Sequence, residues 1–241
     1  MLAISDIKLR YRRSRIGQFW LTLSMAITIL ALAFVYSAIF QIALNIYLPI
    51  IAYSLIVWGL IAGVCNEAAT VFIEAEGYIR SSPLAKSVYV YRMLLRNFIV
   101  FLHNLLIGVV VVLIFGPVPN VNLLYILPAL CLTMITGVWV ALILGTLSAR
   151  FRDLPPIVAS LVQIAFFLSP IMWTSSQLRG RFQILVDWNP FAAFLNIMRD
   201  PMLGNPPNGT AWALAFFVTI AGSLLALAFF SRFRSRISFY V

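Results

Sequence analysis

The chain has 241 residues, of which 63% are hydrophobic and only 10% are charged, and its formal net charge is +10 at pH 7. Soluble domains are about 45–50% apolar, so a water-soluble globule of this composition is excluded, and a disordered chain would be far more polar. Two cysteines and one histidine exclude a disulfide framework and a histidine metal centre. The composition therefore indicates an integral membrane protein.

Six apolar runs approach or exceed the roughly 20 residues that a helix needs to cross the hydrocarbon core. They cover residues 17–41, 46–65, 98–115, 123–147, 154–173 and 211–230. Of the 17 basic residues, 14 lie before the first run, between the second and third, between the fourth and fifth, and after the sixth. The positive-inside rule then places both chain ends in the cytoplasm. We predict an all-α fold with six transmembrane helices, forming a single transmembrane domain over residues 1–241.

The segment before the first run, residues 1–15, combines apolar and basic side chains at helical spacing. This pattern predicts an amphipathic helix that lies in the membrane interface with its arginines at the lipid phosphates. The arginines concerned are Arg10, Arg12 and Arg13. A plain basic flank that only sets the orientation is the alternative.

The predicted cytoplasmic segment 66–97 is long and amphiphilic. Acidic residues come first, a turn follows, and aromatic and basic residues come last, which suits the dipole of a helix in its second half. We interpret it as a docking element for a cytoplasmic partner, with a solvated linker as the alternative. The docking residues are Gly77, Tyr78, Arg80, Ser82, Pro83, Lys86, Tyr89 and Tyr91.

Runs one and five combine aromatic and polar side chains, which favours the lining of a path over a lipid-facing surface. The candidate path residues are Tyr36, Phe40, Gln163, Phe166, Phe167 and Trp173. Helix packing and interfacial aromatic belts are the alternative. The tight turn before run five carries Arg150 and Arg152 at the level of the lipid phosphates.

The outer segment 174–210 is the longest connection on the far side. A connection of this length is commonly functional, so we expect short re-entrant helices that form an outer gate. The candidate gate residues in it are Trp188, Phe191 and Phe194. Whether Glu67, at the end of run two, pairs with His103 in run three is left open.

The sequence holds no Gly-Lys-Ser/Thr phosphate loop and no arrangement of catalytic residues, so we predict no enzyme activity and no bound cofactor. Charged residues are nearly absent inside the runs, which disfavours a proton or ion relay. The basic residues form no continuous stripe, which disfavours nucleic acid. Uphill transport would therefore draw its energy from another subunit.

Several motifs resemble the permease subunits of type-2 ABC exporters, in the bacterial polysaccharide and O-antigen branch, over essentially the whole chain. The motifs are residues 6–20 (DIKLRYRRSRIGQFW), 74–80 (EAEGYIR), 89–92 (YVYR), 149–156 (ARFRDLPP), 169–173 (SPIMW), 187–191 (DWNPF) and the basic tail ending at 239–241 (FYV). One departure is that Pro83 is followed by Leu84, where many relatives have arginine.

The resemblance implies a homodimer in the bacterial inner membrane, with two copies of a cytoplasmic ATPase that holds ATP and Mg. It also implies that residues 66–97 couple to that ATPase, that spans one and five line the conduit, and that 174–210 gate it. The implied cargo is a polyprenyl-pyrophosphate-linked glycan whose pyrophosphate meets the interface arginines. The alternatives are a related permease for teichoic acid, capsule or a lipophilic small molecule, and a membrane enzyme of polyprenyl-phosphate metabolism.

Overall fold

A computed structural model describes residues 19–81, 84–115, 120–173 and 184–240, and these residues form helices and no strands. The prediction of an all-helical fold is confirmed for this part of the chain. The helices are α1 (Phe19–Phe40), α2 (Leu44–Glu74), α3 (Glu76–Ser81), α4 (Ser87–Phe115), a 3₁₀ helix (Val121–Tyr125), α5 (Ile126–Arg150), α6 (Leu154–Leu168), α7 (Ile184–Asp187), α8 (Pro190–Met202), α9 (Gly209–Phe233) and α10 (Ile237–Tyr240).

Five helical segments in the described ranges, rather than the six predicted, are long and apolar enough to cross a membrane. They are α1, α2 with α3, α4, the 3₁₀ helix with α5, and α9. The run at 154–173 forms the 15-residue helix α6, which at 1.5 Å per residue spans about 22 Å. The helix stops because Ser169 is extended and precedes Pro170, and a residue before proline disfavours the helical conformation.

The chain from Arg152 to Met172 nevertheless runs along the length of α2, in the opposite direction. At one end, Arg152 lies 3.9 Å from Glu76, just beyond α2. At the other end, the Tyr47 hydroxyl donates a hydrogen bond to the carbonyl oxygen of Met172. The short helix and the non-helical residues after it thus extend together from one face of the bundle toward the other.

We call the face that carries α3 the inner face and the face that carries the 3₁₀ helix the outer face, after the predicted orientation. Helix α1 runs antiparallel to α2, since the Phe40 and Tyr47 rings at the connection are 6.2 Å apart and Met25, earlier in α1, contacts Gly59, later in α2. The C-terminal helix α10 lies at the inner face, where the Tyr240 carbonyl accepts a hydrogen bond from Arg152. The start of α1 and the end of α10 therefore lie on the same side of the bundle.

Helix α2 is the central element of the bundle. Of its most apolar 18-residue stretch, 72% is buried, against 11–33% for the other four segments. It is also longer than its apolar run, because it continues to Glu74 beyond the predicted end at residue 65. Helix α4 likewise begins at Ser87, before the predicted start at 98. The segment 66–97 is therefore largely helix, extending α2 and α4 at the inner face.

Glycines set the closest approaches to α2, as expected where helices associate by packing in lipid. A β-carbon on Gly145 of α5 would lie 2.6 Å from the Val71 side chain and 3.0 Å from that of Phe72. A β-carbon on Gly108 of α4 would lie 2.7 Å from the Tyr53 ring. The Tyr53 hydroxyl donates a hydrogen bond to the Gly108 carbonyl at 3.1 Å. Larger residues at these positions would push α4 and α5 away from α2.

We expect Gly145→Ala to lower the free energy of unfolding by about 1–3 kcal/mol, because the added methyl group overpacks the α2–α5 contact. Thermal unfolding in detergent, followed by tryptophan fluorescence, measures the effect. The control is Gly209→Ala, where an added β-carbon has no neighbour within 4 Å. Equal melting temperatures for the two variants would contradict the close α2–α5 contact.

Candidate functional site

The predicted docking residues divide into exposed and buried groups at the inner face. Helix α3 is held against the bundle by Ile79, which is 7% exposed, and it presents Gly77, Tyr78 and Arg80 to solvent. Tyr91 on α4 is also exposed, whereas Tyr89 is buried. Burial lowers the pKa of the Lys86 ammonium. Ser82 and Pro83 lie outside the described residues.

The exposed docking residues are held in place by charge contacts. The Arg80 guanidinium lies 2.8 Å from the Glu76 carboxylate one turn earlier. The Arg92 guanidinium of α4 stacks over the Tyr78 ring, 5.2 Å from its centroid. Helix α3 therefore contacts α4 through the Tyr78 ring and is joined directly to α2 along the chain.

An ion-pair cluster joins α2 to α4 immediately below α3. The Glu67 carboxylate accepts hydrogen bonds from Arg96, at 2.8 and 3.2 Å, and from the Asn97 amide. A β-carbon on Gly63 would collide with the Asn97 side chain, so this contact depends on a glycine. The His103 ring instead bonds the Ile99 carbonyl of its own helix at 2.8 Å. Glu67 thus pairs with Arg96 and Asn97, which answers the question left open by the sequence.

The two arginines of the turn between α5 and α6 contact the C-terminal helix. The Arg150 guanidinium lies 5.8 Å from the Tyr240 ring centroid, and Arg152 bonds the Tyr240 carbonyl at 3.4 Å. Because Arg152 also approaches Glu76, this turn links α10 to α3. Contact of either arginine with lipid phosphate stays a prediction. Arg10, Arg12 and Arg13 lie outside the described residues.

The candidate path residues lie on the two helices that flank α2. On the α1 side, the Tyr36 and Phe40 rings are 5.7 Å apart. On the α6 side, Phe166 packs against Trp58 of α2 at 5.7 Å and against Phe167 at 5.4 Å. The Trp173 indole donates to the Phe167 carbonyl at 3.4 Å. The structure therefore brings Phe166, Phe167 and Trp173 together.

Helix α6 buries one face and exposes the other. Val158, Val162 and Ala165 are buried, while Ser160, Gln163 and Phe167 are exposed. Polar side chains are costly against lipid chains and generally face protein or water in membrane proteins. The exposed face of α6 is accordingly suited to a conduit or to a second copy of the chain.

The predicted outer-gate aromatics occupy different environments around α8. Trp188 is 74% exposed, whereas Phe194 is 6% exposed and belongs to the core. Phe191 packs against Trp58 of α2, with ring centroids 5.9 Å apart. Phe191 and Phe194 also line an apolar cavity of about 230 Å³. Of the three, only Trp188 projects from the bundle surface.

Arg199, one of the three basic residues outside the predicted cytoplasmic segments, is the centre of a buried polar cluster. Its guanidinium donates to the Pro170 carbonyl at 2.7 Å, to Asn196 at 2.9 Å and to Ser54 of α2 at 3.4 Å. The carboxylate of Asp200 lies 3.1 Å away. Burial raises the pKa of the Asp200 carboxyl, and the adjacent Arg199 partly offsets that rise.

The cluster holds the non-helical chain that follows α6. Arg199 donates to the carbonyl of Pro170. In addition, the Asn189 amide donates to the Leu168 carbonyl at 3.4 Å and to the Ser169 hydroxyl at 3.2 Å. Tyr47 binds the carbonyl of Met172. Asn189 also caps α8, accepting from the backbone N–H of Phe191 at 2.9 Å. One set of side chains thus fixes both the end of α6 and the start of α8.

Five helical segments long and apolar enough to cross a membrane, in the described part of the chain, indicate a polytopic membrane protein. A family model described as "ABC-2 type transporter" matches residues 1–203. The chain belongs to the ABC-2 type transporter family, as the sequence motifs predicted.

Two O-antigen export system permease proteins RfbA of Klebsiella pneumoniae are similar to the chain. One is 21% identical over 232 residues and the other 22% identical over 236 residues. Each match covers 96% of this chain and 90% of the relative. The similarity therefore extends over nearly the full length of both proteins.

We expect Arg199→Lys to loosen residues 168–172, because a lysine ammonium lacks the planar fork that bonds several acceptors at once. Hydrogen–deuterium exchange with mass spectrometry should show about tenfold faster exchange there. Arg232→Lys, at the exposed end of α9, is the control. Unchanged protection in the Arg199 variant would show that Asn189 and Tyr47 suffice to hold the segment.

Proposed function

We propose that this chain is the transmembrane subunit of an ATP-driven exporter, which moves a polyprenyl-pyrophosphate-linked, O-antigen-like polysaccharide across the bacterial inner membrane. The chain would act as a homodimer, with two copies of a cytoplasmic ATPase that bind ATP and Mg. Membership of the ABC-2 family carries the transport role. The full-length similarity to O-antigen export permeases supports the class of cargo.

The inner face supports docking of a partner at α3. Tyr78 is 51% exposed and Arg80 exposes 65% of its side chain, so both are available for contact. Behind them, α3 leads directly into α2 and is tied to α4 through Arg92. A partner that presses on α3 would therefore move the central helix of the bundle.

The exposed face of α6 supports the path for the cargo. Phe167 is 64% exposed, although it belongs to an aromatic group anchored on Trp58. Aromatic faces contact sugars and isoprenoid chains over a broad area with little loss of side-chain freedom. In a homodimer, the α1 and α6 faces of two copies would enclose the conduit.

The combined substitution Tyr78→Ala and Arg80→Ala should reduce stimulation of the partner ATPase by at least fivefold, because it removes the exposed contacts of α3. ATP hydrolysis is measured with the co-purified ATPase, in the presence and absence of this chain. Tyr125→Ala in the 3₁₀ helix at the outer face is the control. Wild-type stimulation by the double variant would reject docking at α3.

Phe167→Glu should impair glycan export while leaving assembly with the ATPase intact, because a carboxylate in the path repels the anionic pyrophosphate carrier. Transport of a defined lipid-linked glycan into vesicles measures export, and size-exclusion chromatography reports assembly. Phe167→Ala should show a smaller defect, and Phe217→Ala, equally exposed on α9, none. Normal export by Phe167→Glu would remove α6 from the lining.

A further inference from the structure

The turn between α5 and α6 contacts the docking helix α3 at the inner face. Arg152 lies in this turn, immediately before α6, which begins at Leu154. The Nη2 atom of Arg152 lies 3.9 Å from the carboxylate of Glu76, the first residue of α3. The same nitrogen donates a hydrogen bond to the Tyr240 carbonyl at 3.4 Å. One guanidinium therefore contacts both α3 and α10 while its backbone leads into α6.

The backbone of the turn is constrained between Arg152 and the first turn of α6. The Leu154 N–H donates a hydrogen bond to the Phe151 carbonyl at 3.2 Å. Pro155 and Pro156 follow, and their rings fix the backbone angle φ at the start of the helix. A displacement of Arg152 is therefore passed to the start of α6 and is not absorbed by a flexible loop.

The inner half of α6 is lightly packed, whereas its outer end is anchored. Among residues 154–161, only Val158 is buried. Toward the outer end, Phe166 packs against Trp58 of α2 at 5.7 Å, and Arg199 holds the Pro170 carbonyl at 2.7 Å. A helix that is fixed at one end and lightly packed at the other tilts when its loose end is displaced. The position of the inner half of α6 thus depends on the turn that precedes it.

Helix α10 orients the Arg152 side chain toward its acidic partner. Ile237 is 0% exposed and holds α10 in the core, so the Tyr240 carbonyl is a fixed acceptor for the guanidinium. An arginine side chain otherwise loses considerable rotamer freedom when it pairs. Because Arg152 is already held by Tyr240, less of that freedom is lost when it pairs with Glu76.

Glu76 connects this arginine to the predicted docking surface. Its carboxylate also lies 2.8 Å from the guanidinium of Arg80, one turn later in α3. Arg80 exposes 65% of its side chain at the inner face. A partner that contacts Arg80 therefore acts on the same carboxylate that Arg152 approaches.

We propose that Arg152 is a positioning residue that passes movement of α3 to α6, so that the ATPase acts on the cargo path by a connection parallel to α2. This inference rests on the proposed transport function. The side chains of Glu76 and Arg152 are 38% and 48% exposed, so their ion pair contributes little to stability. Breaking the pair should therefore change the coupling of hydrolysis to transport without unfolding the chain.

The test uses the full-length chain, co-purified with the partner ATPase and reconstituted in vesicles with a defined polyprenyl-pyrophosphate-linked glycan. The measured quantity is the amount of glycan transported per ATP hydrolysed. Arg152→Gln should lower this ratio about two- to fivefold, the range that one exposed ion pair can supply. Arg152→Lys keeps the positive charge and should recover part of the loss.

A double-mutant cycle with Glu76→Gln identifies the contact through which Arg152 acts. Once Glu76→Gln is present, Arg152→Gln should cause no further loss of the ratio, because the partner of the arginine is already neutral. An equal loss with and without Glu76→Gln would show that Arg152 acts on another group, such as the pyrophosphate of the cargo. That result would reject the proposal.

The control is Arg232→Gln, which removes an exposed arginine from the last turn of α9 and should keep the wild-type ratio. Circular dichroism checks that each variant keeps its helix content. A folded Arg152→Gln variant with the wild-type ratio would overturn the inference and leave the transport function standing. If the wild-type complex moves no glycan, the proposed function fails and this inference fails with it.

Discussion

Backbone groups that leave a helix inside a membrane need donors and acceptors from the protein, because lipid chains offer none. This requirement organises the outer half of the molecule. Helix α6 ends at Leu168, and the chain beyond it is held by Asn189, Arg199 and Tyr47. The side chains that satisfy the interrupted helix come from α8 and α2, so the interruption also fixes where α8 packs.

The inner half depends on a different kind of contact. Glu67, Arg96 and Asn97 join α2 to α4, and Arg152 joins the C-terminal helix to Glu76 at the start of α3. These pairs are partly exposed and lie where the helices emerge beyond their apolar stretches. Ion pairs of this kind contribute modestly to stability. They do hold α3 in a defined position, which a docking surface requires.

The sequence predicts the helices well, because long apolar runs have few alternatives in a membrane. It overestimates α6, since a run of 20 apolar residues satisfies a length criterion whether or not Ser169 and Pro170 end the helix. It also misses the Arg199 cluster: one partner, Ser54, is 145 positions away, and another is the backbone carbonyl of Pro170. The available signal was the group of Asn196, Arg199 and Asp200 in a largely apolar helix, but this group does not predict the distant partners Ser54 and Pro170.

Helix α2 is continuous over 31 residues, a length of about 46 Å at 1.5 Å per residue. It leads into α3 at one end and, toward the other, is connected to the chain after α6 by Tyr47 and by the bond of Arg199 to Ser54. Such a rod can act as a lever arm: pivoting by about 5° around its midpoint carries each tip roughly 2 Å in opposite directions. Tyr47, three residues from the outer tip, would move almost as far, which is enough to break its hydrogen bond to the Met172 carbonyl, whereas Ser54, closer to the pivot, would move much less.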